Sequence, residues 1–179
     1  LDSFAEYQRH EAWTWEHMAL TRARAIAGPP AFTERVEAVI SEVLQQARDT
    51  ETIAADVAEM RGAVATEKGE SNRWDLKYAA GGLVDLEFIV QHLQLVHASD
   101  HPRVLSQNTV QALRNLHALG LIDGDAADLV DRELLGATGG VLHRVLVEAE
   151  VAAGVAARGY AWGRPHLGGG GLRFRGPRG

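Results

Sequence analysis

Val36, Val39, Ile40, Val43, Leu44 and Ala47 recur every three to four residues, the period at which side chains share one face of an α-helix. Similar stripes recur along the chain. Ile53, Val57, Met60 and Val64 form one; Leu83, Leu86, Ile89, Val90, Leu93 and Val96 form another; Val110, Leu113, Leu116 and Leu119 form a third. Stripes this wide must be buried against other helices. The expectation is an all-α fold, an antiparallel bundle of six or seven helices.

Local signals divide the bundle. Ser3 followed by Glu6 reads as a capping box, and Phe4, Tyr7, Trp15, Met18, Ala19 and Ile26 predict one long first helix that stops at Gly28-Pro29-Pro30. A second helix runs from about Thr33. Asn108 is placed to open a later helix and Gly120 to close it. The segment 65–82, ATEKGESNRWDLKYAAGG, carries no apolar stripe and turn residues at Gly69, Ser71 and Asn72. It reads as a long loop, and loops of that length are more often functional than decorative. A last helical stretch runs from about Asp125 to about Ala157, broken at Gly139-Gly140. The organisation expected is a helical bundle domain over 1–157 and a Gly/Arg-rich tail over 158–179, disordered or artefactual, with no period and a four-glycine run.

The chain has no cysteine, which excludes disulfides and thiolate metal sites and suits a reducing cytoplasm. No apolar run approaches the length of a membrane span. All 24 acidic residues precede position 151, so the body is strongly acidic while Arg158, Arg164, Arg173, Arg175 and Arg178 make the end basic. An acidic body is a poor nucleic-acid binder. The expectation is a cytoplasmic protein that engages neither nucleic acid nor membrane.

The most unusual chemistry lies in KYAAGGLVDLEF, residues 77–88. A glycine pair, Gly81-Gly82, costs helix stability unless the backbone must bend or approach something closely. A helix beginning at Gly82 would offer unpaired amides and a positive dipole end, with Lys77 nearby, which could hold a phosphate. The order of a Walker loop is absent. Asp85 and Glu87 lie on different sides of a helix and cannot grip one metal ion from a single face; one could face a cleft while the other caps, pairs or is solvated. The alternative is a glycine-started helix whose acidic residues merely complement its dipole. Arg61 ends a helix beside the loop, either as a dipole-complementing cation or as a phosphate contact.

Other clusters are less specific. In EAWTWEHMALTRARA, residues 11–25, Trp13 and Trp15 are expected on different sides of a helix, and Glu16, Arg22 and Arg24 read most simply as a solvated face. His97 and His101 fall where a helix ends, and HEAWTWEH is not H-E-x-x-H, so no metal site is expected. Asp123-Gly124-Asp125 is explained by turn and capping chemistry.

Taken in order, AWTWEHMALTRARAIAG, EMRG, WDLKYAAGGLVDLEFIVQHLQL and TVQALRNLHALGLI resemble the bifunctional glutamine synthetase adenylyltransferase and adenylyl-removing enzyme. The resemblance covers roughly residues 1–150 and is most specific in the tryptophan-rich first helix and in K-x-x-x-G-G-L-x-D-x-E-F, which is also similar to PII uridylyltransferase. The AWTWEH form resembles the helical region after the C-terminal, adenylylating nucleotidyltransferase unit, and LDSFAEYQRHEAW looks like the point where that catalytic domain has just ended.

The resemblance implies a helical bundle that closes over the active site of an upstream nucleotidyltransferase domain, using ATP and Mg²⁺ to pass AMP to a tyrosine of glutamine synthetase and removing it by phosphorolysis. A G-S-x-x-D-x-D motif holds the metal in that family; this chain has none, so no catalytic or metal-binding residue is expected here and the chain alone is expected to be inactive and to bind neither cofactor. Arg61, Lys77, Gly81 and Gly82 are then the nucleotide or phosphate contact candidates, and Asp85 and Glu87 the cleft carboxylate candidates. A competing reading is a non-catalytic module that docks glutamine synthetase or a PII signal protein. A free-standing helical protein with Lys77 and Arg61 far apart or paired with acids is a third.

Overall fold

The computed structural model of the chain describes residues 1–69, 72 and 74–122. Among these are six α-helices and no strand: α1 (Asp2–His10), α2 (Thr14–Leu20), α3 (Pro30–Leu44), α4 (Thr50–Lys68), α5 (Leu83–His97) and α6 (Thr109–Ala118), with a 3-10 turn at Pro102–Val104 before α6. The all-α expectation holds. The final helical stretch, Asp123-Gly124-Asp125, the boundary at 157 and the tail 158–179 lie outside the described residues. Among the described residues no helix is long and apolar enough to cross a membrane.

α5 is the central helix. Leu95 joins Met18, Leu20, Ile40, Val43, Leu44, Ile53 and Val57 in one core, while Leu86 and Val90 pack on Ala112 and Leu113 of α6. Ile89 and Leu93 meet Val104 and Leu116 in the adjoining cluster. A helix covered on several sides needs a wide apolar face, which LVDLEFIVQHLQLVH supplies with Val84, Leu86, Ile89, Val90, Leu93 and Leu95 buried. α4 runs antiparallel to it, since Ile53 and Val57, early in α4, lie in one cluster with Leu95, late in α5, whereas Arg61 further along meets Asp85 at the start of α5. α1 and α3 run in the same direction. Asp2 pairs with Arg35 and Arg9 with Glu42, seven residues on in each helix.

The long first helix expected from the sequence is two. Trp13 is extended, at φ −87° and ψ 163°, and serves as the N-cap of α2. Glu16, three residues on, accepts from the Trp13 amide at 2.8 Å and from the Tyr7 hydroxyl at 2.7 Å. This is one half of a capping box, supplied from the N3 side. The break shifts the helical phase, so of the six residues read as one stripe only Met18 is buried; Phe4, Tyr7, Trp15, Ala19 and Ile26 face outward. Glu16→Ala is expected to lower stability by about 1 kcal/mol, the usual cost of a lost helix-start bond, measured by urea unfolding.

Other helix ends follow their capping residues. Pro29 and Pro30 begin α3 a turn earlier than expected, because proline suits the first helical position. Arg48 donates to the carbonyls of Val43, Leu44 and Gln46 and so satisfies the end of α3. Asn108 accepts from the Gln111 amide at 3.0 Å. At the far end of α6, Gly120 at φ +69° donates to His117 and Leu121 to Leu116, the paired bonds of a Schellman motif. Ile122 then packs back on the α5–α6 core.

Candidate functional site

The glycine-rich segment forms a compact turn sealed onto the start of α5. α4 continues through Lys68, so the connection is shorter than the 65–82 reading. Asp75 accepts from the amides of Lys77 and Tyr78 at 3.0 and 3.1 Å, the local bonding that lets Asp start a turn. The chain then folds back until the Leu83 amide reaches the Leu76 carbonyl at 2.9 Å and the Val84 amide the Lys77 carbonyl at 3.1 Å. The first two amides of α5, which could have held an anion, are spent on the protein's own carbonyls.

Each glycine has a separate reason. Gly81 has φ +80°, where a side chain strains the backbone. Gly82 is packed among carbonyls: a Cβ there would lie 2.8 Å from the oxygens of Ala79 and Leu76 and 3.0 Å from that of Lys77. Those oxygens include the two that cap α5, so they cannot move without releasing its first turn. Gly82→Ala is therefore expected to cost about 1–3 kcal/mol, seen as a lower urea midpoint, with faster exchange of the Leu83 and Val84 amides.

Arg61 and Asp85 lie beneath this turn. Both side chains are buried, at 7% and 5% exposure, and the Arg61 Nε–H donates to Asp85 Oδ1 while Nη2 reaches Oδ2 at 3.3 Å. Asp85 Oδ2 also accepts from the Gly81 amide at 2.6 Å. Nη2 of Arg61 lies 3.5 Å from the Tyr78 carbonyl, a long contact. A buried carboxylate and guanidinium must satisfy each other, because either alone is costly to desolvate. Glu87, on another side of α5, pairs with Arg22 at 2.5 Å near the surface.

The candidates thus fall into three groups. Arg61 and Asp85 are joined in the interior, Gly81 and Gly82 shape the turn above them, and Lys77 stands outside. Lys77 is exposed, with Nζ 4.9 Å from the centre of the Tyr78 ring, a weak cation–π contact at an exposed site. Glu87 is separate and belongs with Arg22. Trp74, Leu76 and Leu83 are 81%, 61% and 48% exposed and lie along the same turn, since Leu76 is bonded through its backbone to both Trp74 and Leu83. The sequence reading counted Leu83 in the buried stripe of α5 and did not single out Leu76; Leu83 is exposed because it is the first residue of α5, on the side of the turn rather than of the core.

Among the described residues no group of three or more histidine or carboxylate side chains is placed to hold a metal ion. Asp85 and Glu87 are each engaged by an arginine, so these residues do not fit a Mg²⁺ centre. Among the described residues of the turn, Lys77 is an exposed cation.

The described residues thus form an all-helical body with a lysine-bearing, glycine-pinned turn at the head of its central helix. The family model described as GlnD PII-uridylyltransferase matches residues 45–135, and that described as Glutamate-ammonia ligase adenylyltransferase matches residues 1–39. The bifunctional glutamine synthetase adenylyltransferase/adenylyl-removing enzyme of Bradyrhizobium sp. (strain ORS 278) is 57% identical over 122 residues, 68% of this chain and 12% of that protein. The enzyme of the same name from Rhodopseudomonas palustris (strain TIE-1) is 62% identical over 122 residues, again 68% and 12%. That of Xanthobacter autotrophicus (strain ATCC BAA-1158 / Py2) is 50% identical over 132 residues, 74% and 13%. The chain belongs to the glutamine synthetase adenylyltransferase family. It spans about an eighth of the length of the curated relatives it matches.

Proposed function

We propose that this chain is the helical region of a glutamine synthetase adenylyltransferase that completes the active site of an adjoining nucleotidyltransferase domain. The whole enzyme passes AMP from ATP, with Mg²⁺, to a tyrosine of glutamine synthetase, and removes it by phosphorolysis. The metal-binding carboxylates belong to the nucleotidyltransferase domain, so this chain alone is inactive. Lys77 supplies a cation to the nucleotide phosphates. The observation that carries the reading is the turn itself: Lys77 is held outside a braced, glycine-shaped corner, and among the described residues the carboxylates of that corner, Asp75 and Asp85, accept from backbone amides and from Arg61. Nucleotidyl transfer depends chiefly on positioning and on charge placed where phosphate charge develops.

In this arrangement Arg61, Asp85, Gly81 and Gly82 set the shape of the corner, and the phosphate contact falls to Lys77. The role of Glu87 is to tie Arg22 to α5. The exposed Trp74, Leu76 and Leu83 beside Lys77 suit a domain-facing surface, since clustered apolar side chains at a surface mark contact sites. The same cluster favours a second reading, in which the chain docks glutamine synthetase or a PII signal protein without entering the chemistry.

Calorimetric titration of Mg-ATP separates the two, run on this chain, on a separately produced nucleotidyltransferase domain and on their mixture. Tighter binding in the mixture, weakened roughly tenfold by Lys77→Ala, is expected for loss of one charge-assisted phosphate contact. A mixture that binds no better than the nucleotidyltransferase domain alone leaves docking as the function of the turn.

A further inference from the structure

We infer that Asp85 is a positioning residue for Lys77, acting through the Gly81 amide, with Arg61 as its charge partner. The inference rests on the reading of Lys77 as a nucleotide contact and adds what holds that lysine in place. Three bonds fix the corner to α5. The Leu83 and Val84 amides donate to the Leu76 and Lys77 carbonyls, and the Gly81 amide donates to Asp85 Oδ2 at 2.6 Å. The first two depend on the chain folding back at Gly81, where φ is +80°. The third is the one that reaches into the core. Asp85 sits in the first turn of α5 and is buried beside Arg61, so its carboxylate cannot swing to solvent without leaving the guanidinium behind. The direction of the Lys77 main chain is therefore set from the interior of the bundle.

The geometry also explains why both oxygens of Asp85 are needed. Oδ1 faces the Arg61 Nε–H, and Oδ2 is shared between Nη2 and the Gly81 amide. Asparagine in place of Asp85 carries no charge and replaces one oxygen by an NH2 donor, which must then face either the Arg61 Nε–H or the Gly81 amide, both of them donors. The corner then loses either its anchor at Gly81 or its pairing with Arg61.

The test compares Asp85→Asn and Gly81→Ala with the unaltered chain. The second opens the same corner from the backbone side without touching a charge, which keeps the inference testable if Asp85→Asn folds poorly. Amide hydrogen exchange should show Gly81, Leu83 and Val84 in Asp85→Asn, and Leu83 and Val84 in Gly81→Ala, opening about tenfold faster, the factor for one lost bond. The core amides of Leu95 and Leu113 report the loss of global stability, and the corner amides should accelerate by about this factor beyond them. In the mixture with a nucleotidyltransferase domain, both variants should raise half-saturating Mg-ATP as Lys77→Ala does, and Asp85→Asn/Lys77→Ala should be no weaker than Lys77→Ala alone. Acceleration of the corner amides only in step with Leu95 and Leu113 overturns the inference, since Asp85 then acts on stability in general. So does an Mg-ATP titration unchanged by Asp85→Asn when Lys77→Ala weakens it. If Lys77→Ala has no effect, the nucleotide reading fails, and the exchange pattern alone decides whether Asp85 holds the corner.

Discussion

Asp85→Ala is expected to destabilise the protein by about 3–5 kcal/mol, the range for removing one member of a buried ion pair. Asp85 is 4% exposed and Arg61 6%, so the guanidinium loses the counter-charge of Asp85 at a site largely closed to water. The Gly81 amide loses its acceptor as well. Urea unfolding at pH 7.5 gives the number, and a loss below about 1 kcal/mol would show that the pair is hydrated or loosely made. A paired change separates the causes. Arg61→Met with Asp85→Leu removes both charges at similar volume, which is often close to neutral. It should recover most of the loss and leave a remainder of about 1 kcal/mol for the unanswered Gly81 amide.

The same pair shows where the sequence was legible and where it was not. Val57 and Arg61 are four apart, as are Ile53 and Val57, and all three are buried on one face of α4. Continuing the stripe as Ile53, Val57, Arg61 would have put an arginine in the core and demanded a carboxylate for it; following Met60 and Val64 instead placed Arg61 at a helix end. The acid that answers it lies 24 residues away on α5, a separation no periodicity encodes. Helices with continuous apolar faces and strong punctuation were readable, as the Asn108 start and Gly120 close of α6 show. The break at Trp13 was not, because its cap is a glutamate reaching back to a backbone amide, and the flanking residues all tolerate helix. The end of α4 was missed for a related reason: Ala65, Thr66, Glu67 and Lys68 are partly or fully exposed and so carry no apolar stripe, yet nothing in them stops a helix before Gly69.

The glycine pair was recognised as special but for an open amide end. The distinction between an anion cradle and a self-capped turn depends on whether Leu76 and Lys77 turn their carbonyls toward α5, and that is settled by the chain reversal at Gly81. Once the reversal is made, the anion-binding capacity of the helix start is consumed, and the exposed chemistry of the segment passes to the Lys77 side chain. Burial of the Arg61–Asp85 pair and exposure of Lys77 are in this sense one event, because the corner that hides the first presents the second.

Acid should weaken the bundle well before its carboxylates titrate. His92, on α5, has its Nδ1 buried without a hydrogen-bond partner, and burial, reinforced by the nearby His97, lowers its pKa from 6.5 to about 4. Burial also lowers His17 and His97, the latter with a contribution from His101. A histidine with a depressed pKa stays neutral in the folded state while the unfolded chain takes up a proton, so folding stability is complete above pH 6.5 and falls as pH drops toward 4. For His92 alone the loss reaches about 3 kcal/mol, from roughly 1.4 kcal/mol per pH unit over that window. Glu42 and Asp49, whose carboxyls are held low by Arg9 and by Thr52, add to the decline only once pH falls into the ordinary carboxylate range, where the unfolded chain begins to take up their protons. Urea midpoints measured from pH 7.5 to 4.5 should therefore decline steadily. His92→Leu, which removes the titrating group at similar volume, should flatten most of that decline. An unchanged slope in His92→Leu would mean that the ring reaches solvent on protonation, and the acid sensitivity would then have to come from His17 and His97.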